Sequence, residues 1–293
     1  MNLGLVMPDF GFGLVTASIL TMGAVAFTML FGVTRVINFA FGDMMTVGAY
    51  LSWLFNLYAH WNVWVAAVAS MLLMGVFSVG MGRVVIAPFL RRGAGTFAIL
   101  IVTFAFGLML QNSLQLFFGT NFQSFVTSSP QTVSFLGMVL TNQQVAVFII
   151  ALGSMLVLHA LLQYTKIGVA MRAMSDNLPL ARTCGINTAL VTDLTWLITG
   201  MLGGLAGFVL ALTTTSFGTT IGENFLLLVV SAAVLGGVGR PYGAMLGALV
   251  VGIVTEMSVL ILPAADKTAV ALVVLFLVLL LRPQGIVGAV GRS

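Results

Sequence analysis

The sequence has 293 residues, 60% of them hydrophobic and only 6% charged, where an ordinary soluble domain carries about 25% charged residues. Eleven Lys and Arg against seven Asp and Glu leave a net charge of +4, and the mean hydropathy is +1.16. So few ionic side chains cannot cover a soluble protein of this size, which excludes a soluble enzyme, a coiled coil, a disordered chain and a disulfide scaffold.

The chain therefore reads as an integral membrane protein, and its elements follow from apolar runs of about 20 residues. Spans are expected at 11–33, 38–58, 62–86, 96–118, 143–164, 188–212, 224–239, 242–262 and 267–281. No Lys or Arg precedes Arg35, so the first run lacks the positive flank of a signal peptide and reads as a span. The second opens with Asn38, Gly42 and Asp43, and the seventh is short and ends in Gly236, Gly237 and Gly239. Short or Gly-interrupted segments in transporters line pathways, because irregular backbone survives only where protein or water satisfies it. The fold class expected is all-α: a polytopic helical membrane protein of about eight to nine spans, with a broken or re-entrant segment near 36–48. No connecting segment is long enough for a folded soluble domain, so residues 1–293 are expected to form one transmembrane domain.

Charge sorts by side in this arrangement. Arg35, Arg83, Arg91, Arg92, Lys166, Arg172, Arg182, Arg240, Arg282 and Arg292 share one face, and Lys267 falls on the other. The stretch from Gly93 to Thr165 has no charged residue, so its loop from Gly119 to Asn142 is the translocated one. The positive-inside rule then puts the N-terminus outside and the C-terminus in the cytoplasm. The basic excess orients the chain and implies no nucleic acid. Asp9, Glu223, Glu256 and Asp266 are expected at or near the outer face, and Tyr58, Trp61 and Trp64 read as an interfacial anchor.

Several chemistries are missing. Neither Lys166 nor Lys267 follows a glycine, so the chain holds no Gly-Lys-Ser/Thr phosphate loop. His60 and His159 are far apart, and Cys184 is the single cysteine, which leaves no basis for a metal site or cofactor. No Gly-x-Ser-x-Gly elbow occurs. A transport role is expected, not an enzyme.

Three polar features stand out. The run from Arg35 to Tyr50 places Asn38, Gly42 and Asp43 inside an apolar stretch. A carboxylate in hydrocarbon costs at least about 2.5–3.5 kcal/mol, so Asp43 should face protein or water. Either this is a broken helix beside a pathway, or it is a helix N-cap at the cytoplasmic interface, with Asp43 stabilising the first turn or pairing with Arg35; the residues alone leave both open. The segment 165–187 can hold a short helix, capped by Asp176 or Asn177, with Pro179 in its first turn and Gly185 ending it. Such a helix would either dock a soluble partner, with Arg172, Ala173, Leu180 and Ala181 as contact points, or lie on anionic headgroups. The spacings Gly200-x-x-x-Gly204, Gly203-x-x-x-Gly207, Gly239-x-x-x-Gly243 and Gly243-x-x-x-Gly247 permit close helix packing, a generic property of Gly-rich membrane chains.

Taken in order, these stretches resemble the permease subunits of branched-chain amino acid ABC importers, a family that includes urea and short-amide permeases. The resemblance rests on Arg35-Val-Ile-Asn-Phe-Ala-Phe-Gly-Asp43 with Gly48-Ala49-Tyr50, on Thr165-Lys-Ile-Gly-Val-Ala-Met-Arg-Ala173 with Ala181 and Gly185-Ile186-Asn187, on Ala233-Val-Leu-Gly-Gly-Val-Gly239 with Gly243, Ala244 and Gly247, and on Arg282-Pro-Gln-Gly-Ile-Val-Gly288. It departs at Phe41, where the family usually has His, and at Arg240-Pro241-Tyr242. The resemblance implies an inner-membrane permease for branched-chain amino acids, with urea, amides or other amino acids as alternative substrates. It implies a pathway-facing break at Asn38, Phe39, Phe41, Gly42 and Asp43. It also implies an ATPase-coupling loop with Gly168, Arg172, Ala173, Ala181 and Gly185, and packing at Gly236, Gly237, Gly239, Gly243 and Gly247. The implied partners are a second homologous permease, two cytoplasmic ATPases, an extracytoplasmic binding protein and membrane lipid. An ion-coupled secondary transporter, with Asp43 as the coupling carboxylate, is the competing reading.

Overall fold

Helices carry nearly all of the chain in the structure, a computed structural model that describes residues 3–126, 131–135, 138–263, 266–281 and 285–286. Nine long elements follow the apolar runs: α1 (Leu3–Thr34), α2 (Phe41–Leu57), α3 (Val63–Gly80) with its extension α4 (Ala87–Arg91), α5 (Thr96–Phe118), α6 (Asn142–Tyr164), then α9 (Thr188–Thr213), α10 (Ile221–Gly236), α11 (Pro241–Met257) and α12 (Lys267–Leu281). Between α6 and α9 come the short helices α7 (Lys166–Asp176) and α8 (Leu178–Thr183). Among the described residues, six helical segments are long and apolar enough to cross a membrane. The 17 residues of α2 and 16 of α10 reach only about 25 Å at 1.5 Å per residue, less than a hydrocarbon core of about 30 Å.

The loop before α6 holds strands that the sequence does not announce: β1 (Thr132–Phe135) pairs antiparallel with β2 (Met138–Thr141). The fold remains all-α apart from this hairpin.

The helices sort into two units. One holds α1 to Thr28, the hairpin, α6 to Gly153 and the chain from Leu227 onward. Within it α11 packs against α12, and the backbone of Ala17 in α1 lies where a side chain on Gly252 would go. Lys267 Nζ donates to Glu256 Oε2 at 2.6 Å, and Thr16 Oγ1 donates to Glu256 Oε1 at 2.8 Å.

The second unit runs from Met29 to Val126 and from Ser154 to Leu226. Its centre is α2, α3 and α9, brought close by small residues. Gly48 lies against the Gly204 backbone, and Gly200 against Ser78 and Met74. A π turn, Met81–Ile86, joins α3 to α4 and seats Gly82 on the Trp196 ring. Beside it Arg83 and Asp193 form an ion pair at 2.6 Å. Tyr50, Trp53, Phe118 and Phe217 make an aromatic cluster at the far end of α2. Tyr58, Trp61 and Trp64 are exposed, and Trp61 stacks on Phe55.

Candidate functional site

The second unit contains an interrupted segment between α1 and α2. Helix α1 stops because Arg35 turns into the left-handed region at φ 58°, a position more often held by glycine. Its amide still reaches the Phe31 carbonyl at 2.8 Å, and Thr34 Oγ1 accepts from the Val36 amide at 3.2 Å. Residues 36–40 then run without helix. Asn38 is 1% exposed; its Oδ1 accepts from the Ala40 amide at 3.1 Å, and its carbonyl accepts from the Phe41 amide at 3.3 Å. That local turn starts α2 at Phe41. Thr103 of α5 serves the same stretch, accepting from the Phe39 amide at 3.3 Å and donating toward the Ile37 carbonyl at 3.4 Å. The Val36, Phe39, Ala40 and Phe41 amides thus find protein acceptors, as irregular backbone inside a membrane protein requires.

A second short helix starts at the same place. The backbones of Gly42 and Gly222 touch: a methyl on Gly42 would sit 2.6 Å from the Gly222 carbonyl oxygen, and one on Gly222 would strike the Gly42 oxygen. Thr46 Oγ1 joins the two, accepting from the Gly222 amide at 3.0 Å and donating to the Gly42 carbonyl at 3.3 Å. The first turns of α2 and α10 each carry one acid, Asp43 and Glu223.

Both acids face α5. A methyl on Gly107 would collide with Asp43 Oδ2, and Gln111, one turn further on, donates from Nε2 to Glu223 Oε2 at 3.0 Å. Gly107 lies eleven residues from either end of α5, so Asp43 is level with the middle of that span. Gln111 is seven residues, about 10 Å, from the end at Phe118. Asp43 is 7% exposed, and its Oδ1 has no hydrogen-bond partner among the described residues. Phe41 is buried and packs its ring over Gly203. Phe39 is half-buried.

One sequence alternative is corrected here, and one expectation is made specific. Glu223, expected at or near the outer face, bonds Gln111, about 10 Å from the Phe118 end of α5. The proposed Asp43–Arg35 pair is absent: Arg35 Nη2 donates to the Ser175 carbonyl at 2.6 Å, and its guanidinium lies over the Phe31 ring. Gln111 and Glu223 are the residues that sequence reasoning missed. The signal for them is the length of α10, too short to span, with its acid in the first turn.

Ser175 belongs to the polar loop. Thr165 caps α7 by accepting from the Gly168 amide at 3.1 Å, and Asn177 caps α8 by accepting from the Leu180 amide at 3.1 Å, with Pro179 in the first turn. Gly185 takes φ +80° just after α8. Gly168 is buried against the backbone of Leu161 and Leu162. Arg172 is exposed and donates to Gln163 at 3.2 Å; Ala173 is half-buried. Ala181 is buried within the chain, so the exposed apolar point of α8 is Leu180.

The late glycines lie in the first unit. Gly236 meets the Gly243 backbone, Gly247 meets Ala232 and Gly236, and Gly237 and Gly239 have positive φ at the turn between α10 and α11. Ile286 donates its amide to the Leu235 carbonyl at 2.8 Å. Arg282, Pro283, Gln284, Gly288 and Arg292 lie outside the described residues.

The family profile described as "Branched-chain amino acid transport system / permease component" matches residues 10–282. The high-affinity branched-chain amino acid transport system permease protein LivH of Salmonella typhimurium is 29% identical over 94% of this chain and 93% of its own. The corresponding protein BraD of Pseudomonas aeruginosa is also 29% identical, over 94% of each. A nucleoside ABC transporter permease protein, NupC of Lactococcus lactis, shares 34% identity over 32% of this chain and 30% of its own. With the family match covering nearly its whole length, the chain belongs to the branched-chain amino acid transport system permease components.

Proposed function

We propose that this chain is the membrane permease subunit of an ABC importer for branched-chain amino acids. Residues 1–293 act as one permease domain in the inner membrane, with the N-terminus outside and the C-terminus in the cytoplasm. A second homologous permease, two ATPases and an extracytoplasmic binding protein complete the system. The loop 165–187 docks an ATPase, and the break at Asn38, Phe39, Phe41, Gly42 and Asp43 lines the pathway.

The observation that carries this reading is the Arg35–Ser175 bond, which ties the last turn of α7 directly to the head of the interrupted segment. A displacement of the loop by closing ATPases would pull on residues 35–40, whose far end carries Asp43 into the start of α2. Coupling by small shifts of packed helices fits such a connection. The full-length likeness to LivH and BraD supports the substrate, and the partial likeness to a nucleoside permease makes substrate the point to test. The four-component system in proteoliposomes should import leucine, isoleucine or valine only with ATP and binding protein. Uptake that persists without the ATPases and follows an ion gradient would replace this reading with secondary transport.

A further inference from the structure

We infer that Asp43 and Glu223 form a receiving site for the primary ammonium group of the transported amino acid; this rests on the permease reading above and assigns chemistry to its pathway. The two acids are neighbours by construction, since the residues before them, Gly42 and Gly222, are in backbone contact. Both reach one face of α5, at Gly107 and Gln111, which are one helical turn apart. Gly107 leaves the space that the Asp43 carboxylate occupies.

The pair has no cation of its own. The two ion pairs among the described residues are Arg83–Asp193 and Lys267–Glu256, and neither includes Asp43 or Glu223. Gln111 supplies an amide donor to Glu223, while Oδ1 of Asp43, a residue only 7% exposed, is left without a partner among the described residues. Unpaired acids at this depth are costly, and in membrane proteins they mark substrate or ion routes. The missing partner is positive and rich in N–H donors, as a primary ammonium is. A divalent metal fits less well: no group of three or more His, Cys, Asp or Glu able to hold one occurs among the described residues, and hard cations take six or more oxygens.

The test uses the assembled permease–ATPase complex in nanodiscs, without the binding protein, so that the recognition measured belongs to the membrane chains. Bound radiolabelled leucine is challenged with isopentylamine, which is leucine without its carboxylate, and with 4-methylpentanoate, which is leucine without its ammonium. Isopentylamine should displace leucine at a concentration at least about tenfold lower than 4-methylpentanoate. The D43N/E223Q variant should lose at least about tenfold in leucine affinity, and E223D should retain more of it than E223Q. Equal displacement by both analogues, or absence of leucine binding to the wild-type complex, overturns the site. So does unchanged affinity in a correctly assembled D43N/E223Q complex. The analogue comparison needs no variant to fold. A complete system that imports leucine yet fails the comparison refutes the ammonium site alone, whereas one that imports no branched-chain amino acid refutes the permease reading.

Discussion

Replacing Gly222 by alanine should destabilise the protein, and the same replacement at Gly153 should not. At Gly222 the new methyl would strike the Gly42 carbonyl oxygen and lie 2.7 Å from Thr46 Oγ1 and 2.9 Å from the Gly42 carbonyl carbon. Two of these three atoms are backbone, so no rotamer change relieves the clash. Overpacking of this kind costs about 1–3 kcal/mol, and separating the helices puts the Gly222–Thr46 hydrogen bond, worth about 1 kcal/mol, at risk. The gain in helix propensity offsets at most about 1 kcal/mol. At Gly153, inside α6, nothing lies within 4 Å of the added carbon, so only the propensity gain remains. At about 2–4 °C per kcal/mol, G222A should melt about 2–12 °C below the wild type in detergent, and G153A at or slightly above it. Thermal unfolding followed by size-exclusion fluorescence measures both. A G222A protein as stable as the wild type would refute the close approach of α2 and α10.

Other outcomes follow from named contacts. R35A should lower ATP-driven uptake by about tenfold while ATPase subunits still copurify. R35G keeps the left-handed backbone and loses the guanidinium, so wild-type uptake by R35G would show that the Ser175 bond transmits nothing. K267M leaves Glu256, whose side chain is 14% exposed, with the Thr16 hydroxyl as its remaining hydrogen-bond donor among the described residues, and should cost about 1–3 kcal/mol. Adding E256Q should recover part of that loss; no recovery in denaturation midpoints would deny that the pair is coupled. Cys184 is the single cysteine and is exposed, so a membrane-impermeant maleimide should label it in inside-out vesicles only. Labelling in right-side-out vesicles would reverse the proposed orientation.

The long helices were legible because each is an uninterrupted apolar run, and the ends of α8 because capping is local: Asn177, Pro179 and Gly185 act within a few residues of themselves. The break near Asn38 was visible as polar residues in an apolar stretch, though not the partner that Arg35 takes, which is tertiary. Arg35 finds its partner 140 residues away, in a loop that local pattern cannot bring near it. The contact of Glu223 with Gln111 is hidden in the same way, because it depends on the approach of Gly222 to Gly42, 180 residues away in the chain. The β1–β2 hairpin escaped notice for a different reason: its eight paired residues sit in an uncharged loop with no alternation strong enough to separate strand from span.

The Thr46 hydroxyl has one proton to give, and it gives it to its own helix, to the Gly42 carbonyl; only a lone pair is left for the Gly222 amide. The two bonds are therefore unequal in what motion does to them. Drawing α10 away from α2 leaves the first intact and breaks the second, stranding a buried N–H at a cost of about 1–3 kcal/mol. Serine could stand in for threonine at this junction, since it keeps both the proton and the lone pair, but valine could not.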